Sequence, residues 1–183
     1  MIKNFSALTP SKVIVLENLA DIVPELAALK GIQQPVEYHS EGDAFTHTCL
    51  AVKSLPQDID ERVQWAVLLH DIGKATTTKF VDGRWRSHGH DIAGAKIIPQ
   101  ILHRLGKQSI SEDVCWLVRH HHFALSWGLG TSGQLTAKHH RFCAQPLFPL
   151  LVEVVRADAA GSQGTSEKGK IVEHILEQLQ HTK

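Results

Sequence analysis

Residues 65–74 read WAVLLHDIGK, and this stretch decides how the rest of the sequence is interpreted. An apolar run over residues 65–69 predicts a buried helix that ends at His70 and Asp71, and Asp60 can cap its start. A charged carboxylate beside such a run is costly to desolvate unless a cation or hydrogen bonds compensate it. For an isolated His-Asp pair, an aspartate that points into water at a frayed helix end is the plainer interpretation. The remaining sequence therefore has to distinguish a buried site from a solvated helix end.

Apolar residues recur at helical spacing along most of the chain, so we predict an all-α fold. Predicted helices cover residues 10–20, 21–31, 44–55, 61–71, 91–105, 111–122, 134–144, 146–160 and 166–180. In the loop at residues 74–88, Asp82 and Gly83 predict a small β-hairpin. The 183 residues suit one domain, with a core over residues 34–162 on which the helices at 10–31 and 166–180 pack.

Composition and charge narrow the class of protein. Nineteen basic side chains balance nineteen acidic ones, so we expect no strong binding to double-stranded nucleic acid. No apolar run reaches the roughly 18 residues that a membrane span needs, and the first residues do not resemble a secretory signal. Cys49, Cys115 and Cys143 form no Cys-x-x-Cys pair, which argues against structural zinc. We expect free, buried thiols and a cytoplasmic location.

Two further helices carry a candidate ligand beside an apolar run. His47 lies between Phe45 and Cys49 on one predicted helix, and Asp158 ends the apolar helix at residues 146–160. Helical bundles build metal sites from side chains that converge from facing helices. Together with His70 and Asp71 they form a nitrogen and oxygen set without sulfur. Such a set suits one or two divalent ions of Mn, Ni, Co, Fe or Mg, and Zn is not excluded.

Histidine is unusually frequent, with thirteen residues in the chain. His88 and His90 precede one predicted helix, and residues 120–122 are three histidines that close another. Either group can supply ligands for a second metal about 4 Å from the first. A solvated helix end, where imidazolium suits the helix dipole, is an equal alternative for the triple histidine. Lys74 can contact a phosphate oxygen, or can be a solvated lysine near the end of its helix.

The order of His47, the His70-Asp71 pair and Asp158 resembles the H…HD…D signature of the HD superfamily of metal-dependent phosphohydrolases. The sequence is closer still to the HD domain on the C-terminal side of bacterial CCA-adding tRNA nucleotidyltransferases. The resemblance covers about residues 34–162. The matching stretches are EYHSEGD at 37–43 with THT at 46–48, LLHDIGK at 68–74, HGHD at 88–91 with GAK at 94–96, and RADAAG at 156–161.

The resemblance implies an HD-domain helical bundle that hydrolyses phosphate esters with a bound metal. By matching position it implies that the core metal ligands are His47, His70, Asp71 and Asp158. It implies second-metal ligands at His90 and His121, although the register among residues 120–122 stays open. Lys74 would contact the substrate phosphate, and Asp71 would anchor the metal centre. The related tRNA domain is associated with phosphatase, 2'-nucleotidase and 2',3'-cyclic phosphodiesterase activity.

The sequence also departs from the family pattern. Ser40 stands where a proline is common, and Ser162 stands where the tRNA enzymes often carry arginine, so one substrate contact is in doubt. The 183 residues contain no nucleotidyltransferase domain, and we do not expect this chain to add CCA.

The expected substrate is a small nucleotide or RNA-end phosphoester. Arg84, Arg86 and His88 are candidate substrate-binding residues, although an exposed hairpin tip with Trp85 packed on the core explains the hairpin residues as well. The alternatives are a nucleoside monophosphate phosphatase, a non-catalytic module that binds a nucleotide or a partner, and a plain helical scaffold.

Overall fold

The computed structural model describes residues 7–181, and helices make up most of that length. The helices are α1 Pro10–Val13, α2 Leu19–Ile22, α3 Pro24–Ala27, α4 Ala44–Lys53, α5 Glu61–Leu69, α6 Lys74–Thr77, α7 His90–Arg104, α8 Ser111–His120, α9 Phe123–Ser126, α10 Ala137–Cys143, α11 Phe148–Gly161 and α12 Lys168–Gln180. A 3-10 turn at Gln108–Ile110 precedes α8, and β1 Lys79–Val81 pairs with β2 Arg84–Arg86. The predicted all-α fold with a small β-hairpin is confirmed.

Helix α5 lies at the centre of the bundle. Its residues 65–69 are fully buried, and α4, α8 and α11 pack around it. Side chains from α1 to α3 and from α12 join the same hydrophobic core. Each large apolar side chain buried in this way contributes roughly 1.5–3 kcal/mol. The apolar run at residues 65–69 therefore lies in the central helix, against which the helices that carry His47 and Asp158 pack.

The β-hairpin forms where the Asp82-Gly83 pair predicts it. Its strands are antiparallel, with Phe80 opposite Trp85 and Val81 opposite Arg84. Asp82 and Gly83 both have positive φ angles, of 50° and 76°. Two consecutive positive φ values are typical of the type I′ turn that joins short twisted hairpins.

The predicted helix over residues 10–20 is wrong in extent. Helix α1 ends at Val13, and α2 begins only at Leu19, where the non-helical residue Asn18 is its N-cap. The intervening sequence starts with three β-branched residues at 13–15, which lose side-chain freedom in a helix. Val13 and Leu19 are both buried, so packing holds the two short helices on the core.

Other boundaries move by a few residues: the helix predicted over 111–122 is α8, which ends at His120, and the short helix α9 that follows it was not predicted. The three cysteines are free but half-buried, rather than fully buried as expected. Among residues 7–181, none of the helices combines the length and the apolar character that crossing a membrane requires.

Candidate metal centre

Four side chains from three helices converge next to the C-terminal end of α5. His47 projects from α4, Asp158 from α11, and His70 and Asp71 directly follow α5. Nε2 of His47 lies 3.1 Å from Oδ1 of Asp158 and 3.3 Å from Nε2 of His70. Nε2 of His70 lies 3.3 Å from Oδ2 of Asp71. The four residues are at most 2% exposed. We call these four residues the first ligand set.

A second group of ring nitrogens lies on the other side of the same aspartate. His90, the first residue of α7, places Nε2 3.3 Å from Oδ1 of Asp71 and 3.2 Å from Nε2 of His121. His122 joins these two histidines in a cluster whose ligand atoms lie within 4.8 Å of one another. We call His90, His121 and Asp71 the second ligand set. Asp71 thus faces one set with each carboxylate oxygen, as a bridging ligand does.

In all four histidines Nδ1 is hydrogen-bonded away from the site, so Nε2 is the atom that faces it. A carbonyl or an ionised carboxylate can only accept, so each Nδ1 that contacts one carries the proton. The acceptors are Oε1 of Glu41 for His47 at 2.8 Å, the Val67 carbonyl for His70 at 2.7 Å, the Ser87 carbonyl for His90 at 2.8 Å and the Val118 carbonyl for His121 at 2.7 Å. Such partners orient ligating histidines and make them better donors to a metal.

Charge in the first ligand set favours a bound cation. Burial opposes ionisation of Asp71 and Asp158, yet nearby cationic groups hold the pKa of each carboxyl well below its usual value. Burial would lower the pKa of His47, but hydrogen bonds to Asp158 and Glu41 raise it to about 9. The converging atoms therefore hold either a proton or another cation between them. A set of two imidazoles and two carboxylates fits a divalent metal ion.

The second ligand set contains a histidine that burial keeps neutral. Burial lowers the pKa of His121 well below its usual value, and neighbouring His90 and His70 lower it further. His121 is therefore unprotonated at neutral pH, which is the form that binds metal. Two Nε2 lone pairs that face each other at 3.2 Å repel unless a cation lies between them. These residues also fit a divalent metal ion.

Two glycines allow the helices to approach closely enough to form the site. A Cβ atom on Gly73 would lie 2.1 Å from the His90 carbonyl oxygen, so only glycine allows α7 to pack directly behind Asp71. A Cβ atom on Gly161 would lie 2.9 Å from the Ala51 backbone nitrogen, at the contact between α11 and α4. These close contacts determine the spacing between the ligand-bearing elements.

Two lysines contact the two carboxylates. Nζ of Lys74 donates to Oδ2 of Asp71 at 2.7 Å and to the side-chain oxygen of Gln34 at 2.6 Å. Nζ of Lys168, the first residue of α12, donates to Oδ2 of Asp158. Both lysines are at least nine-tenths buried. Each carboxylate therefore contacts a lysine as well as ligand nitrogens.

A cleft of about 940 Å³ connects the site to solvent. Its walls include both lysines, the histidines at 39, 88, 90 and 122, and the hairpin residues Arg84, Trp85 and Arg86. Arg84 is exposed, with its guanidinium 4.0 Å from Glu37, while Arg86 is half-buried and His88 is exposed. Trp85 is half-buried and contacts Phe80 edge to face.

The structure brings all six predicted ligands together and places Lys74, Arg84, Arg86 and His88 on the cleft wall. Among the three adjacent histidines, His120 faces away and donates to the Trp116 carbonyl, whereas His121 faces His90. The sequence pattern indicated no role for Glu41, Gln34 or Lys168, and it left His122 as one of three adjacent candidates for a ligand. The sequence could have indicated a role for Glu41, because it is an acidic residue just before the helix that carries His47. No sequence pattern predicts that Lys168 is buried.

Comparison with known proteins identifies the class. The HD domain family matches residues 36–160, and the chain therefore belongs to that family. Membership implies a metal-dependent phosphohydrolase and a site for divalent metal.

The chain is also similar to individual relatives named Multifunctional CCA protein. It is 36% identical to that of Alkalilimnicola ehrlichii over 155 residues, which cover 82% of this chain and 37% of the relative. It is 37% identical to that of Halorhodospira halophila over 122 residues, which cover 64% of this chain and 29% of the relative. It is 29% identical to that of Hahella chejuensis over 156 residues, which cover 82% of this chain and 36% of the relative. The resemblance stated from the motifs is confirmed, and the chain spans less than two fifths of the length of these relatives.

Proposed function

We propose that this protein is a metal-dependent phosphohydrolase that cleaves a phosphomonoester or cyclic phosphodiester of a nucleotide or an RNA end. One observation carries the proposal. The carboxylate of Asp71 faces His70 with one oxygen and His90 with the other, each at 3.3 Å. A carboxylate between two sets of ring nitrogens is the arrangement that a two-metal hydrolytic centre needs.

The two ligand sets have distinct roles in the proposal. His47, His70, Asp71 and Asp158 would hold one divalent ion, and His90 and His121 would hold a second that shares Asp71. When bound, such ions lower the pKa of coordinated water and draw charge from phosphoryl oxygens. Without sulfur ligands, the sets favour Mn, Ni, Co, Fe or Mg, with Zn also compatible.

Residues of the chain bind and orient the phosphate. Lys74 presents a buried ammonium at the cleft, where it would donate to a non-bridging phosphate oxygen. Water adds to phosphorus in line with the ester oxygen, so that one P–O bond forms and the ester P–O bond breaks. The protons of that water end on the leaving alcohol and on the released phosphate. Lys74 stabilises the charge that develops on the phosphorus oxygens.

The nucleotide part of the proposal rests on the mouth of the cleft. Arg84, Arg86 and His88 supply positive or hydrogen-bonding groups there, and Trp85 offers an aromatic face. The resemblance to the HD domain of the tRNA enzymes agrees with this chemistry. A cleft of about 940 Å³ has room for a nucleotide, since ligand sites of that class measure roughly 300–1,000 Å³.

Substitution of the bridging carboxylate tests the proposal. We expect Asp71→Asn to lose bound metal and to lower phosphoesterase turnover by at least about a thousandfold. Asp58→Asn is the matched control, because Asp58 is exposed and lies outside the cleft. Metal content is measured after purification without chelator, and turnover with mono-, cyclic and dinucleotides in Mn, Ni or Mg. Equal metal content and turnover in both variants would contradict the proposal. Full metal loading of the wild type without any hydrolysis would favour the binding-module alternative.

A further inference from the structure

We propose that Lys168 is a second phosphate-binding cation, and that with Lys74 it selects a dianionic phosphomonoester over a phosphodiester. This inference rests on the proposed function and narrows its substrate class. Lys168 lies outside the HD domain match at residues 36–160. The family match therefore assigns it no role.

The position of Lys168 is unfavourable for a lysine unless an anion compensates it. It is the first residue of α12, where the partial positive charge of the helix N-terminus repels a cation. It is also only 6% exposed, so its ammonium is largely removed from water. Water therefore does not stabilise the Lys168 ammonium at this position, and nearby anionic groups have to do so.

Asp158 satisfies only part of the ammonium group. An ammonium has three donors. Among residues 7–181, Oδ2 of Asp158 is the acceptor that Nζ of Lys168 contacts. Lys74, in contrast, already donates to both Asp71 and Gln34. Since Lys168 lines the cleft, its remaining donors are available to a ligand there.

The balance of charge points to an anionic ligand. Three carboxylates surround the first ligand set, from Asp71, Asp158 and Glu41. Lys74 and one divalent metal would neutralise all three. Lys168 and the metal of the second ligand set are then the positive charges left for the substrate. A phosphomonoester dianion gains about twice as much from each of those charges as a phosphodiester monoanion does, because the interaction scales with charge.

Two local contacts fix Lys168 at the cleft. The segment before α12 is joined to the loop before α4, since the Thr165 amide donates to the Glu37 carbonyl at 2.9 Å. The Gln163 amide donates to Oε2 of Glu41, also at 2.9 Å. Glu41 in turn contacts His47. These hydrogen bonds therefore hold Lys168, at the start of α12, in a fixed position relative to the first ligand set.

The test uses Lys168→Gln in the metal-loaded full chain, with Lys170→Gln as the matched control. Lys170 is an exposed lysine on the same helix. Calorimetry measures the affinity for inorganic phosphate, and elemental analysis measures the metal. We expect phosphate affinity to fall about tenfold or more in Lys168→Gln, with unchanged metal content, and to stay within about twofold in Lys170→Gln.

Hydrolysis adds the test of selectivity. For Lys168→Gln we expect the KM for p-nitrophenyl phosphate to rise about tenfold. The KM for bis(p-nitrophenyl) phosphate should change by less than about threefold. Equal effects on both esters would overturn the selectivity. Unchanged phosphate affinity, or loss of metal in step with loss of phosphate, would make Lys168 only a partner of Asp158 and overturn the proposal.

A second measurement needs no variant and covers the case in which Lys168→Gln fails to fold. Amine acetylation of the metal-loaded wild type, read by mass spectrometry, should be slowed by inorganic phosphate at Lys168 and not at Lys170. Equal protection of both lysines, or protection of neither, would overturn the proposal. A wild type that shows this protection but hydrolyses no ester would refute the proposed function and leave the phosphate site intact.

Discussion

Nε2 of His90 lies 3.2 Å from Nε2 of His121, although both rings donate their Nδ1 hydrogen to a backbone carbonyl. Two lone pairs at that distance require a proton or a metal ion between them. The pair is therefore a place where a metal ion can replace a proton. Because Asp71 also faces His47 and His70, the two ligand sets share a residue but have separate histidines.

Replacement of His121 should remove one metal and keep the other. We expect His121→Gln to retain about one equivalent of Mn²⁺ where the wild type binds two, because His47, His70 and Asp158 are unchanged. The exposed His103 provides the control His103→Gln, which should bind as the wild type does. Equilibrium dialysis with elemental analysis gives the stoichiometry. Loss of both metals, or of neither, would contradict the division into two sets.

Metal affinity should rise with pH up to about pH 9. The pKa of His47 is raised to about 9, so below that pH the metal-free ring is protonated and a metal must displace the proton. From this group alone, the apparent affinity for Mn²⁺ should increase by up to about tenfold per pH unit. Glu41→Gln removes one acceptor that raises the pKa, so its profile should level off at lower pH. Calorimetric titrations from pH 6.5 to 9.5 measure both profiles, and a flat wild-type profile would refute the assignment of His47 as a ligand.

Any side chain at position 73 should destabilise the protein. A Cβ atom there would lie 2.1 Å from the His90 carbonyl oxygen and 2.7 Å from the Gly94 nitrogen, so α7 would have to move. We expect Gly73→Ala to lower the free energy of unfolding by about 3 kcal/mol. Gly169→Ala is the control, because its Cβ would only reach ordinary contact with Ala159 at 3.6 Å. Urea denaturation compares the two. Equal stabilities would show that α7 does not depend on this close contact.

Arg86 should contribute to binding of the nucleotide rather than of the phosphate alone. Its Nε atom is buried without a hydrogen-bond partner in the described part of the chain, and its side chain lines the cleft. We expect Arg86→Gln to raise the KM for a nucleoside monophosphate about tenfold. The KM for p-nitrophenyl phosphate should stay within about twofold. The exposed Arg119 on α8 gives the control Arg119→Gln. A similar rise for both esters would place Arg86 at the phosphate instead.

The sequence predicted the parts of this molecule that depend on local pattern. The apolar run before His70 specifies α5, and residues at helical spacing specify α4 and α11, which carry His47 and Asp158. The Asp82-Gly83 pair specifies the hairpin turn. In each case one short stretch of chain contains the physical cause, either burial of an apolar face or a positive φ.

The features that were left open or missed depend on packing between distant segments. Successive residues of a helix point about 100° apart, so only the docking of α8 on α5 decides that His121 faces the site and His120 does not. Lys168 is buried because residues 163–165 bond to the loop before α4. The break between α1 and α2 follows from β-branched residues and from the burial of Val13 and Leu19, which periodicity alone did not reveal.

The ion pairs of Lys74 with Asp71 and Lys168 with Asp158 have a consequence for assembly of the metal centre. The buried carboxylates have counterions supplied by the polypeptide itself, so folding of the bundle does not have to wait for a metal. The ions can enter a chamber that is already built and exchange with protons on the imidazoles. The metal site is then preformed, in contrast to small zinc domains that fold only when their metal is bound.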